Sequence, residues 1–272
     1  MLKKGISVFI LTKNCEETVR KTLESVRWAD EIIIVDGFST DKTLEICKRY
    51  KAKIFQRKFE GFDKERNFGI AQCKYPWIFE IDADEYLTEE LEQDIQDIVA
   101  HDADGDYFTI KRKDYYLRRH LTTLKLIRLY RQGVARYENP THEQIIVKGR
   151  KGRCLNGHAE HMATDTDSIF DDLRKIEHET EKEVLNRFKN EDMGKLSLLV
   201  NMIVRPVVLF FAWYVYKGFF RSGIPGLIFC LYNSFIYEFL IYVKYYEKKY
   251  IRGNTKINKM VLQNHYAREN KK

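Results

Sequence analysis

The chain has 272 residues, of which 44% are hydrophobic and 14% aromatic. That is enough apolar material for one large domain or a domain with an appendage, and it excludes global disorder. The net charge of +7 sits at one end: residues 244–272 carry nine Lys or Arg against two Glu, so the first 243 residues balance to zero. Five cysteines (Cys15, Cys47, Cys73, Cys154, Cys230), odd in number and never in a CxxC pair, predict free thiols in a reducing compartment and argue against a zinc or disulfide framework.

The first thirteen residues are too short in apolar length for a signal peptide and predict a strand over 5–11. A helix follows over 16–29, with Val19, Leu23 and Val26 on one face. Ile32-Ile-Ile-Val35 is a β-branched run of the kind found in a parallel strand buried on both sides. It ends at Asp36 in a turn where Ser39 or Thr40 is placed to cap a helix over 40–51. A short strand over 52–55, a helix over 63–73 and a strand over 77–81 complete the alternation. Strand and helix in this order predict an α/β sheet with right-handed crossovers. Thr88 is placed to cap an amphipathic helix over 88–100, and strands over 106–113 and 124–131 extend the sheet. Residues 114–120 read equally as an acceptor loop or as exposed basic surface.

The strand at 77–81 runs into three carboxylates, Asp82, Asp84 and Glu85. In an open α/β sheet ligands bind at the carboxyl ends of the strands, and three such ends here carry polar groups: Thr12 and Glu16, Asp36, then Asp82 and Asp84. Carboxylates crowded together suit a hard divalent cation such as Mg²⁺ or Mn²⁺, which also holds substrate phosphates. A solvated acidic turn is the plain alternative. No GxGxxG follows the first strand and no GxxxxGK[ST] occurs, so dinucleotide and P-loop readings lose support.

Four segments together resemble the motifs of family 2 glycosyltransferases, in that family's order and spacing: Ser7-Val-Phe-Ile-Leu-Thr-Lys-Asn, Ile34-Val-Asp-Gly-Phe-Ser-Thr-Asp-Lys-Thr, Lys64-Glu-Arg-Asn-Phe-Gly and Glu80-Ile-Asp-Ala-Asp-Glu. The nearest subgroup in kind is the lipopolysaccharide-core and capsule glucosyltransferases. The resemblance implies a GT-A (Rossmann-like) mixed sheet flanked by helices, a nucleotide-sugar donor, usually UDP-linked, and a divalent metal. Carried onto this chain, it puts Thr12, Glu16 and Asp36 at the nucleoside and Lys64 and Arg66 near the diphosphate, with Asn67 supporting that loop. Asp82 would face ribose and metal, and Asp84 would ligate the metal. Downstream, Arg128-Leu-Tyr-Arg and His142-Glu143 match the segment that carries the family's catalytic base, so Glu143 is the candidate base and His142 its neighbour, orienting it or touching phosphate. In Gly157-His-Ala-Glu-His, His161 matches the family's histidine near metal and diphosphate, with His158 as a competing register.

A charged helix is predicted over 170–190. Two apolar, aromatic-rich segments follow over 196–220 and 224–243, each near the roughly 20 residues needed to cross a bilayer. Asn201, Arg205 and Pro206 interrupt the first, and Asn233 and Glu238 the second. A hairpin lying in one leaflet fits these interruptions best. A soluble hairpin packed on the catalytic domain or on another subunit, or a two-pass anchor, are the alternatives. The basic tail would then rest on anionic lipid. The expected organisation is a catalytic domain over 1–165, a connecting helix over 166–195, a membrane-associating helical hairpin over 196–243 and a basic tail over 244–272. The expected function is inverting, metal-dependent transfer of a hexose to a lipid-linked or lipopolysaccharide-type acceptor on the cytoplasmic face of the membrane. A non-catalytic sugar-nucleotide scaffold is the alternative, and the apolar hairpin makes a nucleic-acid binder improbable.

Overall fold

Ile-Ile-Ile-Val at 32–35 has no polar face, so it can be satisfied only in the middle of a sheet covered on both sides. In the computed structural model, which describes residues 5–101, 104–138, 144–161, 169–188 and 193–251, strand β2 (Glu31–Asp36) is buried along its whole length. Its side chains alternate between two apolar layers, Ile32 and Ile34 in one, Ile33 and Val35 in the other. Strand β1 (Ile6–Thr12) repeats the pattern with Ile6, Val8 and Ile10 against Phe9, and β4 (Trp77–Glu80) with Trp77 and Phe79 against Ile78. Helices α1 (Val19–Ser25), α2 (Thr43–Arg49) and α4 (Glu89–His101) cover the first layer through Val19, Leu23, Ile46, Leu91, Ile95 and Ile98. Helix α3 (Phe62–Gln72) lies on the other layer, where Phe68 and Ile70 pack beside Phe9. Seven-residue helices such as α1 and α2 are too short to hold their shape alone. Burial of side chains like Leu23, worth about 1.5–3 kcal/mol each, holds them.

The main sheet has the order β3-β2-β1-β4-β7-β6-β10-β5, completed by β3 (Lys53–Gln56), β5 (Glu85–Leu87), β6 (Tyr107–Tyr116), β7 (Arg119–Arg131) and β10 (Lys151–His161). Strands β1 to β4 run parallel, β7 is antiparallel to β4, and β10 is parallel to β6 and antiparallel to β5. Strands β8 (Ala135–Glu138) and β9 (Gln144–Val147) form a separate antiparallel pair. This is the mixed α/β architecture expected from the sequence. Strand β7 begins five residues earlier than expected, and β5, β8, β9 and β10 were not expected at all. Neither Ser39 nor Thr40 caps α2. Ser39 turns to Asp36, the Thr40 amide donates to Asn14, and the first amides of α2 are met by Glu16 and Asp41. Thr88 does stand at the start of α4, where its carbonyl accepts from the Leu91 and Glu92 amides, but its hydroxyl bonds the His158 backbone of β10.

The chain divides into two units, Met1–Asp114 with Thr123–Thr164, and Tyr115–Thr122 with Asp165–Lys272. The second is helical: α5 (Ile169–Arg187), α6 (Lys195–Phe211), α7 (Ile224–Leu231) and α8 (Glu238–Tyr246). π-Helical turns extend α6 to Tyr216, join α7 to α8, and carry α8 on to Ile251. The two resulting helices, Lys195–Tyr216 and Ile224–Ile251, are 22 and 28 residues long, enough by length and composition to cross a membrane. They form the C-terminal hairpin. Val184 and Phe188, at the end of α5, pack with Leu198, Ile241, Tyr242 and Tyr245 of the hairpin in one core. The polar interruptions noted in the sequence are satisfied within it. Arg205 Nε and Arg187 Nη1 each lie 2.5 Å from Glu238 Oε1, while Asn201 and Asn233 donate to the carbonyls of Ser197 and Phe229 one turn back. Ile203, Val207, Val208 and Phe211 on α6 point outward and are exposed. Within the same unit the two-residue turn Leu117–Arg118 has both φ angles positive, and beside it Tyr116 meets Phe229 edge to face at 5.3 Å.

Candidate active site at the carboxyl edge of the sheet

The loops that leave β1 and β2 are tied together by hydrogen bonds in both directions. Asn14, Cys15 and Glu16 amides donate to the side chains of Ser39, Thr43 and Asp41, and Lys13 Nζ reaches the carbonyls of Gly37 and Phe38. In return the Thr40 and Lys42 amides donate to Asn14 Oδ1 and Glu16 Oε2. Beneath them Asp36 is fully buried and accepts from Thr12 Oγ1 (2.9 Å), Ser39 Oγ (2.5 Å), the Ser39 amide (2.8 Å) and Gln56 Nε2 (3.1 Å). Thr12, Glu16 and Asp36 are thus brought together, with Asp36 as the floor of the two loops and Glu16 on their exposed side.

Strand β4 ends in Glu80, which is also fully buried. A carboxylate in such a place must be paired and hydrogen-bonded. Glu80 receives Arg66 from α3, Arg128 from β7 (3.1 Å), and the hydroxyls of Tyr130 (3.1 Å) and Tyr137 (2.7 Å). The register makes this possible: Phe79 pairs with Leu129, so Glu80 meets Arg128 one step on, and Tyr130 lies two residues away on the same face. Both arginines then reach outward to Asp82, Arg66 Nη2 to Oδ1 at 3.1 Å and Arg128 Nη2 to Oδ2 at 2.6 Å. Burial alone would raise the Asp82 pKa, but the two guanidiniums outweigh it and hold this carboxyl well below the usual range. Arg128 also reaches Glu85 at 3.3 Å, and its own pKa is raised because these anions outweigh burial.

The row continues through three neighbouring strands. His161 of β10 lies opposite Asp114 of β6 and Glu85 of β5. Arg112, two residues before Asp114 on β6, joins Glu85 (3.1 Å) to Asp114 (2.9 Å), and His161 Nδ1 lies 2.9 Å from Asp114 Oδ1. The other nitrogen, Nε2, faces Asp84 Oδ2 at 3.4 Å. Burial opposes a charge on His161, but Asp114 and Asp84 outweigh it and push the imidazole up to about 9. Gly157 lets β10 come this close to α4, since a Cβ there would fall 2.1 Å from the Leu91 backbone nitrogen.

The structure therefore brings Arg66, Asp82, Asp84 and His161 into one cluster. His158 belongs elsewhere, with its ring 2.8 Å from Glu160. Lys64 is exposed and pairs at 3.4 Å with Glu60, just before its helix, and Arg66 is turned inward. Asn67 binds both backbone groups of Tyr137, tying α3 to β8. His142 and Glu143 lie outside the described residues. Sequence reasoning missed the role of Glu80, Arg112, Asp114, Tyr130 and Tyr137. The period-two spacings Arg112/Asp114 and Arg128/Tyr130 were the available signal.

Among the described residues no group of three or more His, Cys, Asp or Glu side chains forms a ready metal cage. Asp84 and His161 nevertheless fit a divalent ion by donor chemistry. An imidazole whose Nδ1 is held by a carboxylate offers its Nε2 outward, and Mg²⁺-like ions take only one or two protein ligands when waters and phosphates supply the rest. Asp82 fits less well as a direct ligand, because both its oxygens are engaged by guanidiniums.

The profile of Glycosyl transferase family 2 matches residues 7–170. Over 268 residues, 94% of this chain and 97% of the relative, the chain is 26% identical to the lipopolysaccharide core biosynthesis glycosyltransferase LpsC of Rhizobium meliloti. It is 30% identical to an uncharacterized glycosyltransferase of Rickettsia typhi over 264 residues, 89% of this chain and 85% of the other. The crystal structure of S. aureus TarS 1–349 in complex with UDP-GlcNAc matches with a TM-score of 0.43 and 18% identity, covering 91% of this chain and 93% of that one; of the longer TarS chain, 48% is covered. With the family's sequence extending from β1 into α5 and the site assembled at its strand ends, this chain belongs to glycosyl transferase family 2 and is a glycosyltransferase.

Proposed function

We propose that the enzyme transfers a hexose, with inversion, from a nucleoside diphosphate sugar to a lipid-linked or lipopolysaccharide-type acceptor at the cytoplasmic face of a membrane. The observation that carries the donor half is the facing pair Asp84 and His161, placed beside Asp82 at the carboxyl edge of the sheet. A divalent ion held by Asp84 and His161 would neutralise charge that builds on the departing diphosphate. Asp82, kept ionised by Arg66 and Arg128, is placed to accept from a ribose hydroxyl. Thr12, Glu16 and the loops that Asp36 braces form the nucleoside wall, with Lys64 at the mouth for the diphosphate. UDP is the first nucleotide to test, on the family resemblance.

Glu143, beside His142, is the candidate base. It would take the proton from the acceptor hydroxyl as that oxygen bonds to the anomeric carbon. The bond from that carbon to the phosphate oxygen breaks, and its electron pair leaves with the nucleoside diphosphate. Attack opposite the leaving group inverts the anomeric centre.

The acceptor half rests on the C-terminal helices and on the likeness to LpsC. Exposed apolar side chains along α6 suit burial in lipid, and the pairing of Arg205 with Glu238 removes much of the cost of a charge there. Lys195 and Lys217 at the two ends of the first helix suit the headgroup level. Residues 252–272, most of the basic tail, lie outside the described residues.

Thermal stability with a panel of nucleoside diphosphates, with and without Mn²⁺, tests the donor half. Stabilisation by one nucleotide, dependent on metal and absent in Asp84→Asn, is expected. No shift with any nucleotide in a folded protein would sink it. Vesicle sedimentation tests the other half: Ile203→Glu with Val207→Glu should release the chain from anionic vesicles.

A further inference from the structure

Asp114 lies thirty residues from the carboxylates around Asp84, on a strand that the family's donor motifs do not include. Yet it is the group that fixes the His161 ring. An imidazole can swing about two bonds unless one nitrogen is anchored. Here Nδ1 is anchored on Asp114 at 2.9 Å, and the strand register that sets Asp114 opposite His161 leaves Nε2 aimed at Asp84. Asp114 does not depend on His161 alone for its charge, since the Arg112 guanidinium lies against both its oxygens, Nε 2.9 Å from Oδ1 and Nη2 3.3 Å from Oδ2. Asp84 does not need it either, being about a third exposed to water. Placing the histidine between two carboxylates that are otherwise provided for gains chiefly orientation.

We infer that Asp114 is a positioning residue of the donor site. It holds His161 so that Nε2 and Asp84 present a matched pair of donors to a divalent cation. Arg112 keeps Asp114 in place and, through Glu85 and Arg128, links that pair to Asp82. The inference rests on the donor-site reading above and adds residues that this reading does not require.

The test is direct binding of Mn²⁺ in the presence of UDP, read from the electron paramagnetic resonance of free Mn²⁺. It compares the full chain with Asp114→Asn, Arg112→Met, Arg112→Lys and the control Asp94→Asn, which breaks a pair with Arg153 away from these residues. Loss of a carboxylate behind a ligating histidine typically weakens metal binding by about 10–100-fold. That loss is expected for Asp114→Asn, a smaller one for Arg112→Met, and partial recovery in Arg112→Lys; the control should bind as wild type does. Binding within twofold of wild type in both Asp114→Asn and Arg112→Met would overturn the inference while leaving the donor site standing. If Asp114→Asn fails to fold, the Arg112→Lys and Arg112→Met pair decides: equal affinity in both and in wild type overturns it. A wild-type protein that binds no Mn²⁺ with any nucleoside diphosphate would overturn the donor-site reading, and this inference with it.

Discussion

Glu80 and Glu238 pose the same physical problem and are solved alike at first sight. Each is a buried carboxylate met by two arginines, Arg66 and Arg128 in the sheet unit, Arg187 and Arg205 in the helical unit. The difference lies in what the arginines do next. Arg66 and Arg128 go on to Asp82, Arg128 also to Glu85, and the alternation of charge ends at Asp84, on the surface. Arg187 turns back to Glu183 one turn earlier on its own helix, and Arg205 ends at Glu238. One cluster leads outward to groups that can meet a ligand; the other closes on itself and holds helices together. A buried ion pair is weak evidence for function until its second neighbours are traced.

That contrast can be broken experimentally. Arg128→Met leaves Arg66 as the one arginine for both Glu80 and Asp82 and should cost roughly 3–5 kcal/mol in urea unfolding, with nucleotide binding lost alongside stability. Asp84→Asn should do the reverse. Transfer should fall by roughly 10²–10³-fold, the scale of losing one electrostatic stabiliser of a developing charge, while the unfolding midpoint stays near wild type. Glu238→Gln should cost roughly 1–3 kcal/mol and leave nucleotide affinity unchanged. An equal loss of affinity there would erase the distinction between the clusters.

The smallest effect is in pH. His161 is raised from 6.5 to about 9 in the folded chain, so its pairing with Asp114 and Asp84 contributes fully below pH 6.5 and is lost as pH rises through about 9. The stability difference between wild type and His161→Gln, measured without metal, should therefore shrink by roughly 1–2 kcal/mol from pH 6 to pH 10. A flat difference would mean that folding leaves the His161 pKa where the unfolded chain has it.

The central sheet was legible because its code is local. Runs such as Ile32 to Val35 announce burial on both faces, and each ends in a polar residue that marks the ligand edge. Strand β10 was hidden for the opposite reason. It contains Gly152, Asn156 and Gly157 among charged residues, its register against β6 shifts twice, and it is specified by neighbours that come from elsewhere in the chain. Glu80 could be seen only as the polar residue before the acidic triplet. Its four donors come from positions 14 to 57 residues away, and no local period reports such a meeting. The Arg205–Glu238 pair was hidden in the same way: two faults in two apolar helices, cancelling only once the helices pack.

The cross-braced loops after β1 and β2 have a kinetic consequence. A recognition surface whose amides and side chains already satisfy one another has little ordering left to undergo when a ligand arrives. In a stopped-flow experiment the observed rate of nucleotide association should rise in proportion to concentration, without the plateau that marks a slow rearrangement. Cutting the brace with Asn14→Ala should introduce that plateau while changing the dissociation rate far less.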